Sequence, residues 1–243
     1  MNSLIRMKGN LLAAILACCA MSAGAETEVE AQIHKAIEPR MGKNVKVDEV
    51  RKTPYGGLYE IRTNGDIFYT DESASYLFVG KIIDAHNYHD LTKERADQLA
   101  GIRFADLPLN EAIKTVKGDG KRVMAIFEDP NCPYCKKLHQ TLQSVDNVTV
   151  YTFLLNILSD DSAIKAANIW CAGDPAAAWD NWMLHNVAAP AAKSGCKAPN
   201  DQILALGKSL RISGTPTLYF ADGSRSSAVP TAQELEARLA SSN

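Results

Sequence analysis

The sequence predicts an α/β domain preceded by a smaller α+β domain, and three features carry that reading. From about residue 106 to 243, strand-like apolar runs alternate with helical patterns, the order that builds a sheet covered by helices. Residues 26 to about 87 hold one amphipathic helix and several short extended runs, and 88–105 is a polar, helix-favouring stretch between the two blocks. Where one strand pattern gives way to a helix stand Cys132-Pro133-Tyr134-Cys135, followed about eighty residues later by Gly214-Thr215-Pro216-Thr217.

Residues 1–25 combine Arg6 and Lys8, an apolar run from Leu11 to Ala20 and the small triplet Ala23-Gly24-Ala25, the layout of a cleaved signal peptide. The alternative, lipid attachment at Cys18 after Ile15-Leu16-Ala17, has a short apolar stretch behind it. Removing this segment takes away two positive charges, so the net charge moves from -2 to -4. That balance offers nothing to nucleic acid or to an anionic membrane. With 46% hydrophobic residues over the full chain, a globular protein is expected.

In the first block Val29, Ile33 and Ile37 recur every fourth position, marking a helix that ends near Pro39. Extended runs follow at 45–50, 58–62, 67–69, 76–79 and 81–84, and Asn64-Gly65 signals a tight hairpin. So small a sheet is marginal alone and gains from pairing with a second copy of itself. Residues 91–104 carry only a thin apolar stripe. They read either as a solvated helix bridging domains or as a surface helix packed on the second domain.

In the second block a helix is expected from Leu109 to Val116, then strands at 122–127 and 148–155 flanking the helix that the motif cysteines open. Ser159 to Gln202 reads as a helical insertion, from the spacing of Ala163, Ala166, Ala167 and Trp170, then Ala178, Trp182 and Met183. A strand at 217–221, a turn at Asp222-Gly223 and the capping box Thr231-Ala232-Gln233-Glu234 complete the pattern.

Two thiols separated by two residues at the start of a helix point to thiol–disulfide exchange. Exchange needs a thiolate, and the free N–H groups and dipole at a helix N-terminus stabilise one at Cys132. A fall of two pH units in its titration corresponds to about 2.7 kcal/mol. The same stabilisation makes Cys132 a good leaving group, so what it captures it can release. Pro133 falls in the first turn, where a missing N–H costs little. Cys135, one turn deeper on the same side, is the resolving thiol. Lys136 and Lys137 add positive charge, and Glu128 and Asp129 oppose it.

Half of a zinc site is the competing reading of the motif, but Cys171 and Cys196 are too far apart to supply a second close ligand pair. Bridged to each other they would close a loop of 26 residues, from 171 to 196 inclusive, worth about 3.5 kcal/mol in the chain-entropy model. A structural disulfide or a second redox couple are both open. Pro216 precedes a strand, either as an ordinary turn residue or as a cis proline set beside the reactive sulfur, where it offers no N–H to block a substrate. His139 reads as a surface or boundary residue, the tryptophans as core, and Tyr134 as shaping the surface around the sulfur.

Phe127-Glu128-Asp129-Pro130-Asn131-Cys132-Pro133-Tyr134-Cys135-Lys136-Lys137-Leu138-His139 resembles the active-site segment of the periplasmic thiol:disulfide interchange proteins of the DsbC/DsbG family. Ile169-Trp170-Cys171-Ala172 is similar to that family's second-cysteine segment, and Ser213-Gly214-Thr215-Pro216-Thr217 to its cis-proline loop. The resemblance implies a thioredoxin-like domain at 106–243 with a helical insertion at about 159–202. Ahead of it come a linker helix at 88–105 and a small cystatin-like dimerisation domain at 26–87. It implies a V-shaped homodimer in the periplasm whose cleft holds misfolded exported proteins, and a DsbD-type membrane thiol reductase as electron donor.

The same resemblance makes Cys132, Cys135, Thr215 and Pro216 the catalytic group, with Pro133 and Tyr134 in the motif and Cys171–Cys196 as the structural pair, and implies neither cofactor nor metal. Many DsbC members carry Gly where this chain has Pro133, whereas DsbG-like members carry Pro. The four cysteines beyond residue 25 fit DsbC better. The expected activity is disulfide isomerase and reductase. The alternatives are a DsbG-like reductase of oxidised single cysteines with chaperone activity, a net thiol oxidase, and a binding module whose cysteines are incidental.

Overall fold

A computed structural model of the chain describes residues 26–242; the expected signal segment and Cys18 lie outside them. The described residues form two compact units, 26–64 with 68–78, and 65–67 with 79–242.

The first unit opens with α1 (Glu28–Ile37), begun by a capping box in which Glu30 N donates to Thr27 Oγ1 and Thr27 N donates to Glu30 Oε2. A four-stranded sheet follows in sequential order: β1 (Glu49–Lys52), β2 (Tyr59–Thr63), β3 (Asp66–Thr70) and β4 (Leu77–Phe78). Asn64 and Gly65 turn β2 into β3 with φ of 48° and 86°, left-handed values that this residue pair adopts readily. The stripe read from the sequence does what its spacing requires, since Ile33 and Ile37 are buried against Val47, Val50, Tyr59 and Ile61. At the sheet edge β4 leaves Leu77 and Phe78 exposed, and Tyr76 and Val79 on either side are more exposed still. The run at 45–50 enters the sheet only from Glu49, and 81–84 contributes a single bridge, Ile83 to Asp90, within the second unit.

In the second unit α2 (Leu91–Leu99) carries the buried carboxylate of Asp97. That group accepts from Ser227 N at 2.8 Å, Ser227 Oγ at 2.7 Å and Arg225 Nε at 3.0 Å. These bonds tie α2 to Arg225 and Ser227 of the same unit. The helix expected at Leu109 to Val116 is absent. One 3-10 turn at Leu109–Glu111 leads instead into β5 (Ile113–Lys117). Ile113, Thr115 and Val116 are β-branched and favour extended backbone, and all five residues pair antiparallel with β7 (Val148–Leu154), which lies beyond β6 (Arg122–Glu128) and α3 (Pro133–Leu142).

The chain continues through α4 (Asp160–Trp170), α5 (Pro175–His185) and α6 (Asn200–Ser209) to β8 (Thr217–Phe220), β9 (Arg225–Ser226) and α7 (Ala232–Ser241). The sheet order is β5-β7-β6-β8-β9, with β6 and β7 parallel and the β5–β7, β6–β8 and β8–β9 pairs antiparallel. The short strand β9 was not expected. Its two residues pair with β8 across the Asp222-Gly223 turn, too brief a run to leave a pattern.

Central strand β6 decides where the cysteines sit. Met124 and Ile126 enter one apolar cluster with Leu138, Leu142, Leu235 and Leu239, while Ala125 and Phe127 enter the other with Phe153, Ile203 and Tyr219. Phe127 stacks on Phe153 with ring centroids 4.6 Å apart. Buried on both faces, each of the large side chains contributes roughly 2 kcal/mol, which holds the end of β6 rigid. The observed architecture is an α/β unit that follows a small α+β unit along the chain, the fold class read from the sequence.

Candidate active site

β6 ends at Glu128, and the next residue ties the following loop down. Asp129 is fully buried, with four donors on its carboxylate: Asn131 N at 2.8 Å, Ser162 Oγ at 2.7 Å, and Ile157 N and Leu158 N at 2.9 Å each. A carboxylate so fully bonded is stable without water. The insertion helices add further ties. Trp182 Nε1 donates to Pro130 O at 2.6 Å, Asn131 Nδ2 bonds Ser159 and Ser162, and Lys165 Nζ donates to Asn131 Oδ1 at 2.8 Å.

On this support Cys132 is the N-cap of α3, with Pro133 in the first turn. Cys132 is 3% exposed and Cys135 is fully buried, whereas Tyr134 between them stands 65% exposed. Both thiols are free. Across the sheet, Thr215 O accepts from Cys132 Sγ at 3.2 Å, and the Thr215-Pro216 peptide bond is cis. Residues 83 positions apart are thus brought to one sulfur.

The electrostatics separate the two thiols. Cys132 is lowered to about 6, first because the Cys135 thiol donates to its sulfur, against the cost of burial, and then through the Thr215 hydroxyl and the Cys135 and Tyr134 N–H groups. The Thr215 hydroxyl oxygen is buried. Against the ordinary 9.0, the shift favours the thiolate by roughly 4 kcal/mol. Cys135 is pushed far up, chiefly by burial, then by its bond to Cys132 and the charge of Glu128. One sulfur is therefore a thiolate at neutral pH while the other keeps its proton.

The acids upstream do not lie at the surface. Glu128 is buried beside Cys135, and Asp129 is consumed in structure. The reading of His139 as a boundary residue is corrected, since it is 5% exposed and its Nε2 lies 2.9 Å from Glu128 Oε2. Burial disfavours its cation, yet the charge and hydrogen bond of Glu128 outweigh that and raise its titration. The signal was in the sequence: Cys135, Leu138, His139 and Leu142 follow the i, i+3, i+4, i+7 spacing of a buried helix face. Trp179 is core, while Trp182 is half-buried between Lys136 and Lys165, whose Nζ atoms lie 4.4 and 4.5 Å from its ring centroid.

Cys171 and Cys196 are joined in a disulfide with Cα atoms 6.1 Å apart, Cys171 at the end of α4 and Cys196 in the exposed stretch before α6.

Residues 109–242 match the family described as thioredoxin-like domain, and residues 24–93 the disulfide bond isomerase protein N-terminal domain. The chain is similar to the probable thiol:disulfide interchange protein DsbC of Bordetella pertussis, 52% identical over 193 residues that cover 79% of this chain and 68% of that protein. It is 26% identical to the thiol:disulfide interchange protein DsbC of Escherichia coli K12, over 77% of this chain and 79% of that one. Among solved structures, a disulfide interchange protein from Neisseria gonorrhoeae aligns with a TM-score of 0.53 and 38% identity, covering 56% of this chain and 98% of the other.

Proposed function

Because the chain belongs to the DsbC family of thiol:disulfide interchange proteins, we propose that it is a disulfide isomerase and reductase working through Cys132 and Cys135. The observation that carries this reading is the contrast between the two sulfurs, one a thiolate at neutral pH at a helix start, the other buried and protonated beside it. Cys132 Sγ attacks a substrate disulfide, forming a mixed disulfide and releasing one substrate thiolate. In isomerisation that thiolate or another attacks elsewhere and returns Cys132 free. In reduction Cys135 attacks Cys132 Sγ, the internal disulfide forms and the substrate leaves reduced.

The surroundings support a substrate that is itself a polypeptide. Tyr134 in the first turn of α3 and Ile157 and Leu158 on the loop after β7 are exposed apolar side chains, and Pro216 carries no N–H just ahead of β8. An extended chain would lie there by backbone pairing. Thr215 and Pro216 are read as binding and positioning groups, Pro133 and Tyr134 as shaping the approach, and Cys171–Cys196 as structural.

The proposal extends to location and assembly. Residues 1–25 act as a signal peptide that delivers the protein to the periplasm, and the exposed apolar edge at β4 serves homodimerisation of residues 26–87. The dimer's cleft gives a chaperone-like hold on misfolded exported proteins, and a DsbD-type membrane reductase keeps the active pair reduced. The test is thiol trapping in cells followed by refolding of a scrambled multi-disulfide protein. The expected result is a mainly reduced Cys132–Cys135 pair and recovery of native disulfides that requires Cys132. A mainly oxidised pair with no gain in native disulfides overturns the reading in favour of a net oxidant.

A further inference from the structure

Beside the motif lies a pair of cations that the exchange chemistry does not use. Trp182 of α5 donates its Nε1–H to Pro130 O, two residues ahead of Cys132, so its ring borders the active-site loop. Lys136 of α3 and Lys165 of α4 bring their Nζ atoms to 4.4 and 4.5 Å from the centroid of that ring. Either contact alone is favourable, since the face of an indole attracts a cation. Together the two ammonium groups repel each other.

The two are compensated differently. Lys165 pairs with the Asp161 carboxylate and donates to Asn131 Oδ1 at 2.8 Å. Lys136 donates to the neutral Asn186 Oδ1, and among the described residues no carboxylate pairs with it. Partial burial and then the charge of Lys165 disfavour its cation. A half-buried cation beside a like charge is destabilising until an anion joins it. Its place suits a substrate group. Lys136 follows Cys132 by one turn of α3, and its N–H donates to Cys132 O at 3.2 Å. Four residues of helix advance about 6 Å, and two residues of extended chain about 7 Å with their side chains on one face. A peptide lying alongside this turn with its cysteine at Cys132 brings the side chain two residues away to Lys136.

Resting on the exchange reading above, we propose that Lys136, backed by Trp182 and Lys165, is a subsite for an acidic side chain of the polypeptide substrate, two residues from the cysteine under attack. The carboxylate accepts from the Lys136 ammonium, supplies the missing counter-charge and relieves the repulsion between the two lysines. Lys136 selects among substrate disulfides and takes no part in the bond exchange. The net charge of the chain is -2, so the field of the whole molecule disfavours acidic peptides and a preference for them reports a local site.

The test uses the reduced full chain and peptides with a single cysteine that differ only two positions before and after it, where both residues are Glu or both are Lys. The cysteine carries an uncharged pyridyl disulfide. Cys132 attacks the peptide sulfur, the Cys132–peptide bond forms, the bond to the pyridyl sulfur breaks, and 2-thiopyridone leaves with its absorbance. Each capture rate is divided by the rate of the same peptide with 2-mercaptoethanol, which removes differences in intrinsic reactivity. At low salt the Glu peptide is captured on the order of tenfold faster than the Lys peptide, and the ratio shrinks toward unity at about 0.5 M salt. In Lys136→Gln the ratio falls to about twofold or less, and in Lys136→Glu it inverts. Lys137→Gln, a change at the exposed lysine next along the chain, retains it. Equal rates for the two peptides with wild type overturn the proposal. So does a ratio that survives in Lys136→Gln, the result of a purely structural lysine, or one that Lys137→Gln abolishes as fully, the result of a diffuse field. Failure of wild type to capture either peptide sinks the exchange reading instead.

Discussion

Cys132–Cys135 and Cys171–Cys196 lie in one structural unit and share one chemical vocabulary, yet they are in opposite states. The second pair is 25 residues apart, closed, and partly open to solvent. The first is three residues apart, reduced and buried beneath one exposed tyrosine. A wide loop makes a bond that constrains the unfolded chain, whereas a bond across two residues constrains almost nothing and is free to open and close. Surroundings then complete what spacing begins. A helix start, a donor thiol and the Cys135 and Tyr134 N–H groups favour the anion at Cys132.

The largest effect expected from breaking this contrast is at Cys132. Cys132→Ser removes the attacking sulfur, and disulfide reduction of a model substrate falls at least about 10³-fold while the fold, followed by circular dichroism, persists. Cys135→Ala leaves capture intact and removes resolution. Mixed disulfides with substrate then accumulate to near stoichiometry on non-reducing gels, and mass spectrometry places them at Cys132. Replacing both Cys171 and Cys196 by Ala tests the other pair. Stability measured by denaturant unfolding falls by about 3.5 kcal/mol, and the folded fraction still alkylates at Cys132 at the wild-type rate. A loss of exchange in the folded double variant would erase the distinction drawn between the pairs.

A finer test is pH. The folded thiol of Cys132 titrates near 6, below its ordinary 9.0, so the thiolate persists through neutrality and is lost as pH falls through 6. Alkylation should be flat above about pH 7 and drop tenfold per unit well below 6. Thr215→Val deletes the hydroxyl donor and moves that midpoint upward by about one pH unit, the smallest effect in this series.

Much of this was legible from residue order because the signals are local. The apolar run at 122–127 and the Thr231–Glu234 capping box each specify structure within a few residues, and β6 and α7 followed. So did the turn at Asn64-Gly65. At 109–116 the reading failed because a short apolar segment suits either a helix or a strand, and pairing with β7 settles it. His139 was misjudged for a related reason. Its distance from Cys132 along the helix drew attention from its place on the buried face one turn below Cys135.

The residue order alone dictates which sulfurs are present, that two of them share the first turn of a helix, and that a loop of 26 residues separates the others, because such features depend only on spacing along the chain. Folding alone decides that the Thr215 carbonyl meets Cys132 at 3.2 Å, that Asp129 is saturated by four donors, and that Glu128 is buried with one oxygen unbonded. The titration of Cys132 owes most to its sequence neighbour Cys135, whereas the burial that pushes Cys135 up and the charge of Glu128 beside it exist only once distant segments pack together.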